Sequence, residues 1–398
     1  MHRQGKGIHF RIPLPFIKAL HPESDCMKIG FFVDRLHLTD GVSIALELLR
    51  KELEAKGHES YVFSPGERKR KEENKDPKVF FFTSPIFKDY PDFNIVTFPN
   101  NSAYELAKKL DLDVIHSFAM GTMGVAASNV ASKMKKPSVL TAYSLPNRQI
   151  DSMFGDGLGS IVHKLSTKYM RWYLSSFSCF CVPSEYVKNS VEKEMGIKAN
   201  EVLSLGIDYE AAKAGLKSKK ERGKFLYAGK IAKEKDLDLL VSSMPSISNR
   251  LNDADILIYG EGPYRETLIE KAISTKIDDH VFVGSFLTKR RLMAEISNAS
   301  LFLFPSQSDT QSLSLIEAMA AGVIPICPQD SCAYELVKGT PLERFSFNNK
   351  KDFSEKVVSA YSDVNDNDRA LASEIASRYD IREIAKRHVA LYESLSKK

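Results

Sequence analysis

From Met27 onward, short apolar runs alternate along the chain with longer segments whose apolar residues recur at helical spacing. The first apolar run is Lys28–Val33, and the amphipathic segment Val42–Lys56 that follows ends at Gly57, a residue typical of a helix C-terminus. Further strands are predicted at Ser60–Phe63, Asp113–His116 and Ser138–Tyr143, with a helix at about Gly124–Lys136. This alternation predicts βαβ units and a parallel sheet.

The same alternation restarts at Lys224–Ala228 and continues to Ile324–Cys327. The elements predicted between them are helices at Leu237–Ser248, Tyr264–Ser274, Lys289–Asn298 and Ser314–Ala321, and strands at Asp255–Tyr259, His280–Val283 and Leu301–Phe304. The lysine-rich stretch Gly206–Lys220 between the two arrays has no strong pattern, so we take it as the domain boundary. The length of 398 residues also favours two domains, because single cores stop growing at roughly 250–300 residues.

The composition is that of a globular protein, with 43% hydrophobic and 27% charged residues. A net charge of +5 does not indicate a nucleic-acid-binding protein, but it suits anionic partners such as nucleotide diphosphates or acidic lipid surfaces. None of the five cysteines forms a CxxC pair, which favours reduced thiols in the cytosol. They are Cys26, Cys179, Cys181, Cys327 and Cys332.

The first 26 residues are basic, and Pro13 and Pro15 interrupt their short apolar stretch. They lack the apolar core and the small-residue cleavage site of a signal peptide. We expect residues 1–26 to form a disordered extension, or to reflect where translation was assigned to start. No apolar run in the sequence approaches the ~20 residues that a membrane-spanning helix needs.

Ligands of α/β sheets bind beyond the carboxyl ends of the strands, so the loops there are the candidate sites. The first such loop, Asp34–Gly41, leads into a helix, and Gly41 would let backbone N–H groups approach an anion. An ordinary turn with Asp40 near the helix cap explains the same residues equally well. The nearest match to the GxGxxG fingerprint, Gly260–Pro263, lacks the third glycine, which argues against a dehydrogenase.

The loop Gly229–Lys235 of the second array contains three lysines after a predicted strand. Cations at this place can neutralise a diphosphate leaving group as its charge develops. A solvated run of charges is the alternative, and for Lys233 it is the better one. For Lys230 and Lys235, the position directly after the strand favours a functional role.

The most informative stretch is Phe304–Gly322, where a strand ends, a polar loop follows and a helix begins near Ser312. Backbone N–H groups of the first helical turn, around Gln311, Ser312 and Leu313, can bind phosphate oxygens. Asp309 precedes the helix and could accept hydrogen bonds from sugar hydroxyls, and Glu317, inside the helix, could accept them from ribose. An acidic cap and an exposed helical glutamate are the alternative interpretation.

This stretch resembles the donor motif of glycosyltransferase family 4, in which Glu, seven residues and a second Glu precede Ala-Met-Ala-x-Gly. Here the two acidic positions are Asp309 and Glu317. Other segments that are similar to the family are Gly229-Lys230 with Glu234-Lys235, Gly260–Pro263, Val283-Gly284, Pro183–Val187 and Gly206–Asp208. The likeness covers nearly all of the chain from Met27 to Lys398, in order.

The resemblance implies an α/β protein with two Rossmann-like domains that face each other across a cleft, the GT-B fold. It implies an acceptor-side domain at residues 27–208, a nucleotide-sugar domain at 209–376 and a C-terminal helix at 377–398 that crosses back to the first domain. The donor would contact the glycine-containing loops at Gly41, Gly229, Gly262 and Gly284. The family needs no Asp-x-Asp metal site, so we expect no metal and no obligatory cofactor, although Mg²⁺ could stimulate the reaction.

Four residues depart from the family pattern. Lys230 stands where arginine is usual and loses the bidentate fork, and Asp309 is one methylene shorter than the usual glutamate. Tyr143, on the acceptor side, stands where many members have a histidine that contacts the donor sugar. Ser312 also replaces the usual glycine. These departures leave open a nucleotide-sugar-binding protein without transferase activity.

The family mechanism is a front-face reaction that retains the anomeric configuration. The enzyme then acts by electrostatics, since Lys230, Lys235 and helix N–H groups would stabilise the departing diphosphate. His116 could bound the acceptor pocket with a catalytic role; a satisfied histidine of the core is the equally weighted alternative.

Within the family, Ile29–Pro65 and Pro183–Asp208 look most like bacterial diacylglycerol glucosyltransferases. We therefore expect transfer of a hexose from a UDP-glucose-like donor to a membrane lipid such as diacylglycerol, with a soluble or glycan acceptor as the alternative. The basic cluster Arg68–Lys71 and the basic-aromatic segment Lys164–Phe177 would suit an anionic membrane surface, although either could be an ordinary solvated or interdomain segment. The expected location is the cytoplasm, peripherally on the inner face of the cell membrane.

Overall fold

The computed structural model describes residues 26–36, 41–66, 75–83, 100–143 and 168–397. Several sequence predictions therefore lie outside the described residues. They are the N-terminal extension up to residue 25, Asp40, the basic cluster Arg68–Lys71 and the start of the basic-aromatic segment, residues 164–167.

The first domain is built on a parallel sheet with buried strands. Its described strands are β1 Lys28–Phe32, β2 Glu59–Gly66, β3 Val79–Thr83, β4 Val114–Ser117, β5 Ser138–Thr141, β6 Cys179–Val182 and β7 Glu201–Val202. They lie side by side in the order β3-β2-β1-β4-β5-β6-β7. The helices are α1 Gly41–Ala55, α2 Asn100–Leu110, α3 Thr122–Met134 and α4 Glu185–Met195, and residues 168–175 are also helical. Relative to the sequence prediction, β3, β6, β7, α2 and α4 are additional elements.

The second domain repeats the parallel arrangement. Its strands are β8 Lys224–Ala228, β9 Asp255–Tyr259, β10 Val281–Gly284, β11 Leu301–Leu303 and β12 Ile324–Ile326, in the order β10-β9-β8-β11-β12. Its helices are α5 Tyr209–Lys213, α6 Asp238–Ser248, α7 Arg265–Ser274, α8 Lys289–Asn298, α9 Leu313–Ala320, α10 Tyr334–Val337, α11 Phe353–Asp363 and α12 Asp366–Ser377. Two parallel sheets covered by helices confirm the predicted α/β class.

The chain crosses between the domains twice, and the two crossings pair with each other. The backbone N–H of Ile207 donates to Tyr379 O at 2.8 Å, and that of Ile381 donates to Ile207 O at 2.9 Å. The last helix, α13 Ile381–Ser396, then packs through Tyr392 into the same apolar cluster as Leu46 of α1. The C-terminal helix thus lies against the first domain. Every helix in the described ranges is too short or too polar to cross a bilayer.

The stretch Gly206–Lys220 is more ordered than its sequence pattern indicates. It contains α5 and a short turn of 3₁₀ helix at Ala214–Lys217. The ammonium group of Lys220 donates to the carbonyls of Gly215, Ser297 and Ala321 at 3.1, 2.6 and 2.7 Å. Burial, assisted by Arg369, lowers the pKa of Lys220 to about 8. The lysine therefore ties the linker to the carboxyl ends of α8 and α9, a long-range contact that has no local sequence signal.

Candidate active site

The polar loop after β11 leads directly into the N-terminus of α9, as the sequence predicts. Ser312 caps this helix, because its hydroxyl accepts a hydrogen bond from Leu315 N at 3.4 Å. The hydroxyl of Ser314 donates to Ala228 O at the carboxyl end of β8, at 2.6 Å. The first turn of α9 is thus anchored above the second sheet, with the N-terminus of the helix at the carboxyl end of β8.

Glycines allow two further loops to pack against each other beside this helix. A Cβ atom on Gly262 would lie 2.1 Å from Ile231 O, and one on Gly260 would lie 1.8 Å from Gly229 O. Only glycine fits such a close approach of two backbones. The backbone N–H of Ile231 also donates to Glu261 O at 2.8 Å. The loops that contain Gly229 and Gly262 therefore form one continuous backbone surface.

Two of the predicted catalytic residues form an ion pair. Lys235 Nζ lies 2.7 Å from Asp309 Oδ1, and both side chains are largely shielded from solvent. Lys230, by contrast, is exposed, with Nζ 3.8 Å from Glu234 Oε1. Lys233 is exposed as well. The geometry thus brings Lys235 against Asp309 of the loop between β11 and α9, residues 304–312, which we call the donor loop. Lys230 lies on the exposed side of its own loop, beside Glu234.

Glu317 lies almost fully buried on α9 and forms an ion pair with Lys289, the first residue of α8. Burial raises the pKa of the Glu317 carboxyl above its ordinary value, and the Lys289 ammonium opposes this shift. Lys289 is a site residue that sequence analysis missed, because the pair spans two helices and follows no local spacing. Its position at the start of a predicted helix was the only available signal.

The N-termini of α1 and α9 face each other from the two domains. A Cβ atom on Gly41, the first residue of α1, would lie 3.7 Å from Leu313 Cδ1, the first residue of α9. Two helix N-termini that meet in this way concentrate positive partial charge in the space between them. On the other edge of the second domain, Gly284 ends β10, and a Cβ atom there would lie 2.7 Å from the ring of Tyr259.

His116 lies in the core of the first domain rather than in a pocket. Its side chain is fully buried, with Nδ1 2.7 Å from the hydroxyl of Tyr392 and Nε2 2.8 Å from that of Thr141. Burial lowers the pKa of His116 well below its ordinary value. The structure therefore favours the core-histidine interpretation of His116 over a catalytic role, because the neutral ring has both nitrogens bonded and links the sheet to α13.

Tyr143 contributes its backbone, not its hydroxyl, to the region between the domains. Its carbonyl accepts a hydrogen bond from Thr310 Oγ1 at 2.9 Å. The Tyr143 hydroxyl is buried near Thr141 and Cys181, and this burial raises the pKa of the phenol. The hydroxyl is therefore not the group that Tyr143 presents to the second domain. Thr310 is a second residue that the sequence analysis missed.

Gln311 faces the first domain. Its Oε1 accepts from Leu205 N, and its Nε2 donates to Leu205 O, both at 2.9 Å. The sequence predicts that Gln311 helps to bind the donor. In this structure the side-chain amide of Gln311 contacts the backbone of the first domain instead.

Comparison with protein-family models divides the chain into two matching regions. A model described as "Glycosyltransferase Family 4" matches residues 39–211, and one described as "Glycosyl transferases group 1" matches residues 208–376. The boundary between the two matches falls at the crossing beside Ile207.

Two bacterial proteins are similar over most of the chain. The alpha-monoglucosyldiacylglycerol synthase of Acholeplasma laidlawii is 27% identical over 319 residues, which is 75% of this chain and 79% of that protein. The enzyme of the same description from Streptococcus pneumoniae is 24% identical over 311 residues, covering 74% and 70%.

Among solved structures, the Anabaena protein Alr3699/HepE in complex with UDP-glucose is similar in fold. It superposes with a TM-score of 0.68 over 94% of this chain and 100% of its own, at 15% identity.

Proposed function

We propose that this chain, a glycosyltransferase that belongs to family 4 and has the GT-B fold, transfers a hexose from UDP-glucose or a similar donor. The acceptor is a hydroxyl group of a membrane lipid such as diacylglycerol. The observation that best supports a donor site is the Lys235–Asp309 pair at the head of α9. Similarity to two monoglucosyldiacylglycerol synthases supports the lipid acceptor.

In the proposed complex, the nucleotide binds to the second domain. The free N–H groups of α9 and the backbone surface at Gly229 and Gly262 would receive the diphosphate, with Gly41 facing it from the first domain. Glu317, buried beside the helix start, would accept hydrogen bonds from the ribose hydroxyls. Gly284 would lie near the base, as the family motif implies.

The chemistry we propose is a front-face displacement with retention of the anomeric configuration. The bond between C1 of the sugar and the diphosphate oxygen breaks, and the acceptor hydroxyl oxygen bonds to C1 from the same face. The acceptor proton passes to the departing diphosphate, so no protein residue has to accept it. Lys230 and Lys235 stabilise the negative charge that grows on the diphosphate, an effect that is greatest in the transition state.

Lys235 would serve two partners in this reaction. In the structure its ammonium neutralises Asp309 at 2.7 Å. A diphosphate that approaches from the helix N-terminus would share the same ammonium group, and Asp309 would then accept hydrogen bonds from the sugar hydroxyls. We further propose that these cations make a metal ion dispensable, so that transfer continues in the presence of a chelator.

The helical segment 168–175 supports membrane docking of the first domain. Trp172 and Tyr169 are 61% and 48% exposed, with ring centroids 5.7 Å apart, and Lys168 and Arg171 are exposed beside them. Amphipathic aromatic rings favour the lipid headgroup region, and each nearby basic residue adds about 1 kcal/mol at an anionic leaflet. We propose that the protein binds the inner face of the cell membrane through this surface.

The test is release of nucleoside diphosphate by the purified full chain. UDP-glucose, UDP-galactose and GDP-mannose are each supplied with diacylglycerol in anionic vesicles, with vesicles that lack diacylglycerol, or with water-soluble sugar acceptors. We expect release that requires both UDP-glucose and diacylglycerol. Release that depends only on a water-soluble acceptor, or none with any donor, would contradict the proposed function.

A further inference from the structure

The donor loop contacts both domains through different residues. Ser308 and Asp309 face the second domain, where Ser308 Oγ donates to Glu234 O at 2.9 Å and Asp309 pairs with Lys235. Their neighbours face the first domain. Tyr186 Oη donates to Gln307 O at 3.1 Å, Ser184 Oγ to Thr310 O at 2.8 Å, and Thr310 Oγ1 to Tyr143 O at 2.9 Å. The position of Asp309 thus depends on both domains.

Gln311 makes the most specific of these interdomain contacts. Its amide engages the N–H and the C=O of Leu205 at 2.9 Å each, as a neighbouring strand would do. Leu205 lies two residues before Ile207, where the two interdomain crossings pair. A change in the angle between the domains would therefore act on Gln311 directly.

The helix that follows is anchored independently of these contacts. Ser314 Oγ donates to Ala228 O of the second domain at 2.6 Å, and Ser312 caps the helix from within. Glu317 also has its partner, Lys289, in the second domain. The helix that contains Glu317 is therefore anchored by hydrogen bonds and an ion pair within the second domain, whereas the loop with Asp309 is held by both domains.

We propose that Gln311 is a positioning residue that fixes Asp309 relative to the first domain, so that the sugar of the donor is fully bound only when the two domains are closed on each other. This inference rests on the proposed function, because it assumes that Asp309 receives the donor sugar. It predicts that contacts to the sugar and contacts to the nucleotide respond differently to a change at Gln311.

The experiment compares the affinities for UDP-glucose and for UDP, measured by calorimetry on the full chain. Gln311→Met keeps the length of the side chain and removes both hydrogen bonds to Leu205. We expect it to weaken UDP-glucose binding about tenfold, the loss of roughly 1.4 kcal/mol of hydrogen bonding, while UDP affinity changes less than about twofold. The KM for UDP-glucose should rise and kcat should fall with it.

Two further variants separate positioning from general destabilisation. Thr310→Val removes the hydrogen bond to Tyr143 O and should weaken UDP-glucose binding relative to UDP binding by about threefold. This variant tests the positioning role even if Gln311→Met does not fold. Ser373→Ala is the control, because it removes a buried hydrogen bond to Ala320 O within the second domain. The control should lower the melting temperature and leave the affinity ratio unchanged.

Equal losses of UDP and UDP-glucose affinity in Gln311→Met and Thr310→Val, or no loss in either, would overturn the inference while the proposed function stands. Wild-type protein that binds UDP-glucose no more tightly than UDP would also overturn it, since the sugar would then make no net contribution. If the wild type binds neither ligand, the proposed donor is wrong and the inference falls with it.

Discussion

Lys235 and Asp309 are 74 positions apart in the chain, yet the ammonium of one lies 2.7 Å from a carboxylate oxygen of the other. Two βα loops of the second sheet supply them, one after β8 and one after β11. Because both side chains are partly withdrawn from solvent, loss of either partner leaves a charge that the site must neutralise in another way. A diphosphate and a sugar would meet at this pair.

The first prediction concerns the cations of the donor site. Lys230→Ala and Lys235→Ala should each lower kcat by tenfold or more, and raise the KM for the donor less, because the charge that they meet grows in the transition state. Lys233→Ala is the matched control, since Lys233 is an exposed lysine of the same loop. Steady-state kinetics with and without EDTA check the prediction and the proposed independence from metal ions together.

A change in KM alone for both lysine variants would show that the two residues bind the ground state only. Asp309→Asn combined with Lys235→Ala extends the test. If the two residues act as a pair, the double variant should lose less than the sum of the single losses in free energy.

The second prediction concerns Glu317, whose ionised carboxylate in the proposed complex accepts hydrogen bonds from ribose hydroxyls more strongly than a protonated carboxyl would. Burial raises its pKa above 4.5, so wild-type UDP affinity should fall as the pH decreases through that raised value, earlier than for an ordinary glutamate. Lys289→Met removes the opposing cation and should move this fall to higher pH. Glu317→Gln should bind UDP about tenfold more weakly at pH 7.5 and show no such fall.

Calorimetric titrations of UDP over a series of pH values from about 5 to about 8 check this prediction. Circular dichroism melting of each variant controls for folding. A Glu317→Gln protein that melts normally and binds UDP as tightly as the wild type would remove Glu317 from the donor site.

The third prediction concerns the stability of the interface between the domains, where Glu335 of the second domain lies near Glu185 of the first. Burial and the nearby Glu185 raise the pKa of Glu335 from 4.5 to about 7, although the backbone N–H of Glu185 opposes the shift. The folded state thus binds the proton more tightly than the unfolded state. The stability that this proton contributes is complete below about pH 4.5 and is lost as the pH rises through about 7.

Glu335→Gln imitates the protonated form. It should raise the free energy of unfolding by about 1–2 kcal/mol at pH 8 and by nearly nothing at pH 5. The value at pH 8 is smaller than the full pKa shift would give, because solvent partly screens the side chain. Urea unfolding at the two pH values measures the difference. An equal effect of the substitution at both would mean that Glu335 titrates as an ordinary surface glutamate.

The alternation of apolar runs made the two parallel sheets predictable, and strands such as Lys224–Ala228 and Asp255–Tyr259 begin and end at the predicted residues. Local periodicity depends on neighbours along the chain, so it carries this information well. It carries none about pairs such as Lys289 with Glu317 or Gln311 with Leu205. Those contacts depend on how helices and domains pack, and they decide which polar residues meet the ligand.

His116 illustrates the same limit. A histidine at the carboxyl end of a buried strand has the position of a site residue, and its sequence neighbours are compatible with either role. Its partner Tyr392 lies 276 positions away on the crossing helix. Only the packing of α13 against the first sheet distinguishes a bonded core histidine from a catalytic one.

The fourth prediction concerns the membrane surface. Trp172→Ala together with Tyr169→Ala should reduce binding to anionic vesicles severalfold and leave UDP-glucose affinity unchanged, because the donor site is on the other domain. Replacement of Arg68, Lys69, Arg70 and Lys71 by glutamine should weaken the salt-dependent part of the binding. Phe282→Ala is the control, as an equally exposed aromatic of the second domain. Cosedimentation with vesicles at a series of salt concentrations and acidic-lipid contents measures both effects. If the wild-type protein pelleted equally little with anionic and with neutral vesicles, membrane docking would be contradicted.

The final prediction is that this chain moves a sugar from a nucleotide to a lipid. The most direct measurement supplies UDP-[¹⁴C]glucose to the purified protein with diacylglycerol in anionic vesicles, and counts label in the organic extract against UDP released. We expect label in a glycolipid in equal amount to the UDP released, with the α-anomer as product. The Lys235→Ala protein should give little labelled glycolipid and little UDP. Release of UDP with all the label remaining in the aqueous phase would contradict it.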